Sequence, residues 1–428
     1  MNRTFTKGII LLLLLSWSVI QFAQAQFTVS GEIRPRTEFR DGFKTINTEA
    51  HAPAFFIEQR SRIYLDYQQD KVGFHLSLQD VRIWGNASQI YKSDPALTNI
   101  YEAWGEYHFN VKSSLRVGRQ ALDYDNARFL GDLDWAQQGR SHDAVRYIYK
   151  DSSGFTFHAA AAYNQNVPFE PSKLSSTFYE GVDNYKTMQY FWLHKDWASA
   201  QASLLIFNDG RQRSDSTLAF RQTYGFIGDK SLGAVKLGGE LYYQGGKDPA
   251  GKKVSAWLAA INATMNTSIT PLTIGVDYLS GTNPTDDMNH AFNPLYGTNH
   301  KFYGFMDYFY VGNNHGQNGQ TAGLLDFYVQ SKFKLGQKSA LITHFHHFHS
   351  PTTIYAAEGT GEKLASILGE EIDLVYNLNL TPEVNFKLGY SQLFSTQSLE
   401  AVKGGADRKG LNQWAWAMIT IKPTFYSK

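Results

Sequence analysis

Cysteine is absent from the 428 residues. That removes disulfide scaffolds, Cys-ligated zinc, iron–sulfur clusters and thiol nucleophiles together. An excess of either charge is missing too, since 40 Lys and Arg stand against 39 Asp and Glu. A nucleic-acid partner would call for a basic surplus, so none is expected. After Gln26 no run approaches the ~20 apolar residues of a membrane helix. No G-x-S-x-G, H-E-x-x-H or Walker sequence occurs, and Gly359-Thr360-Gly361-Glu362-Lys363 lacks the spacing and the Ser/Thr of a phosphate loop. What the chain does have is aromatic bulk: 29 Phe, 25 Tyr and 9 Trp, within a 43% hydrophobic composition that excludes a disordered polymer.

The N-terminus reads as an export signal. Arg3 and Lys7 precede the apolar run Ile9 to Leu15, and Ala23-Gln24-Ala25 supplies a small-x-small cleavage pattern. Residues 1–25 are thus expected to be a signal peptide, and 26–428 a single exported unit. A lipid anchor would need a Cys.

The rest of the chain alternates with period two. Val29, Gly31, Ile33, Thr37 and Phe39 interleave with Glu32, Arg34, Arg36, Glu38 and Arg40, giving one apolar and one charged face. Glu58, Arg60, Arg62 and Asp66 repeat the pattern against Ile63, Leu65 and Tyr67, and two more such runs span 372–380 and 384–391. Trp414 to Ile421 is apolar on both faces, so its inward side is not readable. About eighteen segments follow one another, and the links between them alternate short and long. Tight links sit near 69–70, 110–112, 151–154 and 381–383, and long ones near 41–53, 84–98, 122–142, 165–186, 281–321 and 350–368. This predicts an all-β fold: a transmembrane antiparallel β-barrel of about 18 strands, with short periplasmic turns and long extracellular loops. A secreted sandwich or propeller would alternate as well, but with its charged face outward and without the loop asymmetry. Clusters such as Tyr242-Tyr243, Phe302-Tyr303 and Tyr308-Phe309-Tyr310 fit interfacial girdles. Pro35 has no N–H to give a ladder, so a bulge is expected there.

Chemistry is sparse. In His344-Phe345-His346-His347-Phe348-His349, a strand sets His344 and His346 on one face and His347 and His349 on the other. No more than two converge locally, and the run reads as the outer end of a strand. Asp286, Asp287 and His290 in the longest link make no better ligand set. No catalytic residue, metal or cofactor is expected.

The most specific stretch, Leu115 to Tyr149, contains Gly118-Arg119-Gln120, then Arg128, Gly131, Trp135 and Arg140, then Asp143-Ala144-Val145-Arg146. It resembles the alginate-export family of bacterial outer-membrane barrels, whose members carry a similar G-R-Q … R-x-x-G … W … R-x-x-D-x-x-R arrangement. Leu78 to Gly85 and Asn293-Pro294-Leu295-Tyr296-Gly297 resemble that family also. The resemblance implies a monomeric barrel, held in outer-membrane lipid, with an arginine-rich constriction that passes an anionic polysaccharide. Barrel insertion machinery reads a terminal aromatic in many such proteins, whereas this chain ends Phe425-Tyr426-Ser427-Lys428.

Two functions remain open on this reading. One is an outer-membrane channel or porin for an alginate-like polysaccharide or another anionic solute. The other is an enzyme or adhesin that uses the barrel as an anchor. For the channel, the pore candidates are Arg34, Arg36, Arg60, Arg62, Arg82, Arg119, Arg128, Arg140 and Arg146. Asp143 would orient one guanidinium. Glu32, Glu38, Glu58 and Asp66 lie close enough to the first four arginines to make a neutral ladder instead. Arg119, Arg128, Arg140 and Arg146 are the first choice as free charges. Long structureless links are usually functional or disordered, so at least one of 122–142, 165–186 and 281–321 is expected to fold inward as a lid, with 281–321 leading because it is the longest and rich in Gly and Asn.

Overall fold

The computed structural model describes residues 25–49, 52–87, 97–165, 185–213, 217–357, 361–404 and 411–428. The signal peptide expected at 1–25, apart from residue 25, and most of the 165–186 link lie outside the described residues. Strands run from β1 (Gln26–Asp41) and β2 (Ala54–Gln69) to β18 (Asn412–Ile421) and β19 (Thr424–Ser427), each antiparallel to the next in the sheet. β18 and β19 both pair with β1 and together form the last stave, so the sheet closes as an 18-strand barrel. Closure satisfies every edge, which is what lets a sheet sit in hydrocarbon.

The period-two pattern sets the faces. On β1, Glu32, Arg34, Arg36 and Glu38 are buried inside, while Ile33 is exposed. Around the outer wall Ile63, Phe74, Val117, Leu204, Phe226, Leu241 and Ile274 are all exposed, an apolar band for lipid. A soluble sandwich would have these faces reversed. The ambiguous β18 resolves with Trp414, Trp416 and Met418 inside, since they pack into the lumen core.

Two local expectations are corrected. The ladder from β1 to β2 runs unbroken through Pro35, opposite Gln59. Pairing with β18 skips Arg34 and Pro35 and resumes in the same register, and the bulge falls at Val29/Ser30 opposite β19. A missing N–H therefore removes one rung without displacing the chain. The second correction concerns aromatics. Tyr242, Tyr303, Tyr308 and Phe309 are buried inside the barrel. Tyr243 of those clusters does lie on the outer face, against Trp257 with centroids 4.7 Å apart, as does Tyr107 against Phe109 at 5.4 Å.

Candidate functional site

Two long links enter the barrel. Residues 121–141 connect β5 (Ser113–Gln120) to β6 (His142–Lys150), and 280–323 connect β13 (Pro271–Leu279) to β14 (Leu324–Lys334). Leu122, Phe129 and Leu130 of the first and Phe292, Met306, Tyr308 and Phe309 of the second are each at most 2% exposed. They pack against apolar residues of the inner wall, among them Met188, Tyr190, Phe207, Leu258 and Trp414, to make one core inside the barrel. The lid expectation holds for 281–321, and 122–142 folds inward as well.

The two segments clip together backbone to backbone. Leu130 bridges Tyr296, the Gly131 N–H donates to the Tyr296 carbonyl (2.9 Å), and the Thr298 N–H donates to the Ala127 carbonyl (2.9 Å). Gly131 is required at this crossing: a Cβ there would lie 2.4 Å from Thr298 Oγ1 and 2.9 Å from its N. The Arg140 guanidinium donates to the carbonyls of Gly297 (3.0 Å) and Tyr296.

Asp134 ties the first segment to the wall. Its carboxylate accepts from Arg34 at 3.2 Å and Arg60 at 2.8 Å, and Arg62 lies 3.8 Å away. Burial opposes its ionisation, but Arg60, Arg34 and Arg62 outweigh it and hold the carboxyl below its ordinary pKa. Trp135 follows, with the Arg36 guanidinium 4.1 Å from its ring and His300 stacked on it at 4.5 Å.

On the opposite wall Arg128 pairs with Glu240 at 3.2 Å, from β11 (Val235–Lys247), and with Asp277 of β13 at 2.5 Å. Its side chain is 3% exposed. Burial alone would lower its pKa, yet Asp277 and Glu240 keep it well above the ordinary guanidinium value.

The candidate arginines thus divide. Arg34, Arg36, Arg60 and Arg62 face inward and all have carboxylate partners: Arg34 and Arg62 with Asp134, Arg36 with Glu38 and Glu58, Arg60 with Glu32 and Asp134. Arg62 donates to Gln79 at 3.0 Å and lies 3.6 Å over the Tyr101 ring. Arg128, chosen in sequence as a free charge, is neutralised twice, because its partners lie 112 and 149 residues ahead. Arg146 donates to the Tyr124 hydroxyl at 3.3 Å. Arg119 and Asp143 pair at 3.0 Å, as expected of Asp143, but on the outer face. Their register neighbours Val117 and Val145 are exposed, whereas His142, Ala144 and Arg146 are buried inside. Arg82 is outside too, paired with Asp80 at 2.6 Å on the face of Leu78, while Gln79 points in. These three leave the pore set.

Sequence reasoning missed Arg40, Arg211 and Arg221. The strand period was the usable signal for the last two: Asp209 and Arg211 alternate inward on one strand, and Arg221 faces the same Asp209 at 3.3 Å from the next.

A cavity of about 1000 Å³ opens beside the inserted segments. Among the described residues its lining has six cations (Arg36, Arg40, Lys44, Arg140, Arg211, Arg221) against three acids (Glu58, Asp248, Asp307). A second cavity of about 470 Å³ reaches Asp125 and Asn126 of the same segment and has the opposite balance, Asp125, Asp229 and Glu240 against Lys236.

The family model described as alginate export matches residues 25–411. The chain belongs to the alginate export family. No curated protein matches the sequence significantly. Among solved structures it is similar to OpdK of Pseudomonas aeruginosa, at 12% identity and TM-score 0.58, covering 94% of this chain and 99% of that one. OccK9 (OpdG) of the same species matches at 11% identity and TM-score 0.61, covering 93% and 98%. A BenF-like porin from Pseudomonas fluorescens Pf-5 matches at 13% and 0.59, covering 93% and 99%. At such identities the likeness establishes the fold. Family and fold together make this alginate-export barrel an outer-membrane channel.

Proposed function

We propose that this channel passes an anionic polysaccharide of the alginate type, or a smaller carboxylate solute. The observation that carries the reading is Arg140 on the wall of the larger cavity: the other five cations there are ion-paired with Glu38, Glu58, Asp307 or Asp209, whereas among the described residues Arg140 has no ion pair. Confined water screens a fixed charge less than bulk water does, so a surplus there attracts anions more strongly than the same surplus on an open surface. Arg140 is the centre of it: its hydrogen bonds go to backbone carbonyls, which leave its charge uncancelled. Arginine's planar fork also matches a uronate carboxylate bidentately. Arg34, Arg36 and Arg60 act differently, since they spend their donors on Asp134, Trp135 and wall carboxylates and so hold the inserted segment in place. The end that bears the long links and the larger cavity faces outward, both termini lie in the periplasm, and the barrel works as a monomer after removal of residues 1–25.

Reversal potential under a salt gradient across a planar bilayer tests this. Wild type is expected to prefer anions, and R140Q combined with R211Q to reduce that preference. Cation preference in the wild type overturns the proposal.

A further inference from the structure

We propose that the inner wall at β15 (Ser339–His349) and β16 (Ile367–Asn379) holds a divalent transition-metal ion of the zinc class, ligated by His344, His346 and Asp373. One ligand atom from each lies within 4.8 Å of the other two, and among the described residues this is the only such group of three. The alternation that splits the histidine run puts His344 and His346 on the lumen side, and the register sets Asp373 directly opposite His344.

Four features converge on a ligand rather than a packed polar cluster. First, His346 donates Nδ1–H to the Asp326 carboxylate at 2.9 Å, from β14, leaving Nε2 unpartnered and 3.9 Å from Asp373 Oδ2. A carboxylate behind one ring nitrogen is how metal-binding histidines are oriented and made more basic. Second, His344 Nδ1 is buried without a partner, and Asp373 Oδ1 and Glu371 Oε2 are buried with no N–H donor, their two carboxyls facing one another. Such atoms are costly unless something fills them. Third, Asp326, Glu371 and Asp373 are at most 1% exposed, and among the described residues no Lys or Arg pairs with them. Buried acids need a countercharge, and a dication supplies one. Fourth, the other carboxylate oxygens are already engaged: Glu371 Oε1 accepts from Met306 N–H at 2.7 Å and Asp373 Oδ2 from Phe305 N–H at 3.4 Å.

Two imidazoles with one or two carboxylates form a borderline-soft donor set, suited to zinc and not to magnesium or calcium. Metal–ligand bonds of about 2.0–2.1 Å put tetrahedral ligands about 3.3 Å apart, so side-chain rotations of about an ångström close the site. Glu371 faces His346 across the register and flanks the three. Because Phe305 and Met306 belong to the inserted segment, the ion would sit where that segment meets the wall.

The test uses the full-length barrel in detergent, stripped with chelator and titrated calorimetrically with zinc chloride. One ion per chain is expected, with H346Q and D373N each weakening binding at least about 100-fold and D326N about 10–100-fold. The outward pair His347 and His349, whose rings are 4.6 Å apart, is the decoy, so H347Q/H349Q should bind as wild type does. Heat-modifiable gel migration checks that each variant is folded. X-ray absorption on zinc-loaded wild type gives a second reading, with imidazole scattering expected. No zinc uptake by wild type, loss of uptake in H347Q/H349Q, unchanged uptake in H346Q, or an oxygen-only shell would each overturn the site.

Discussion

Replacing Arg128 by Met removes a charge and keeps most of the stem that packs beside Phe302, whose ring centre is 3.9 Å from the guanidinium carbon. What remains is a pair of carboxylates, Glu240 and Asp277, 4% and 2% exposed and without their cation. Breaking a buried ion pair from one side costs about 3–5 kcal/mol. At about 1.4 kcal/mol per decade, that shifts the docked-to-released balance of segment 121–141 by roughly two to three and a half orders of magnitude. The barrel ladder is untouched, so R128M should insert and migrate as a folded barrel. The effect belongs to the lumen. Single-channel recordings should show R128M spending far more time at a higher conductance than wild type, and limited proteolysis should cut within 121–141 faster. In the triple variant R128M/E240Q/D277N the orphaned charges are gone, and amides tolerate burial better than carboxylates. It should recover most of the wild-type behaviour. R128M indistinguishable from wild type in both assays, or a triple variant as open as the single one, would refute the idea that this ion triplet holds the segment.

Asp134 should make the same segment acid-sensitive. Its folded pKa lies below the ordinary value near 4, so its stabilisation is complete above that value and is lost as pH falls through the folded pKa. Channel current should be steady from pH 5 to 8 and noisier in stronger acid. D134N should lack that acid limb, and because the carboxylate is 54% exposed, high salt should weaken the contact in wild type. G304A should loosen segment 280–323 by about 1–3 kcal/mol, because Gly304 has φ +84° and a Cβ there would lie 2.5 Å from Glu371 Oε2; hydrogen exchange around 304–306 is the readout. Labels applied to intact cells should reach residues 281–321 and 350–368 but not the turn at Thr381-Pro382-Glu383, and labelling of that turn from outside would reverse the orientation.

The wall was readable from sequence because strand alternation is local: Glu32, Arg34, Arg36 and Glu38 announce their shared face with no knowledge of the rest of the chain. The lumen was not. Arg128 reads as a free charge until β11 and β13 bring Glu240 and Asp277 to it, and Arg119 reads as a pore residue until its neighbours Val117 and Val145 fix its face. Tyr303, Tyr308 and Phe309 look like girdle residues for the same reason, since aromatic content alone does not tell lipid contact from a core made inside the barrel. The histidine run shows a similar limit. His344 and His346 were legible as neighbours on one face, while Asp373 and Asp326 come from the flanking strands.

The clip between the two inserted segments also bears on the order of assembly. Segment 121–141 touches Arg34 and Arg60 near the chain's start, Glu240 and Asp277 past its middle, and residues 296–298 of the other segment. These contacts cannot all exist until the chain has been laid down as far as β13 and the link beyond it. The seam between β1 and β18 closes last in chain order. The inserted segment therefore joins β1 and β2 to β11 and β13 across the lumen, parts of the sheet that no hairpin joins.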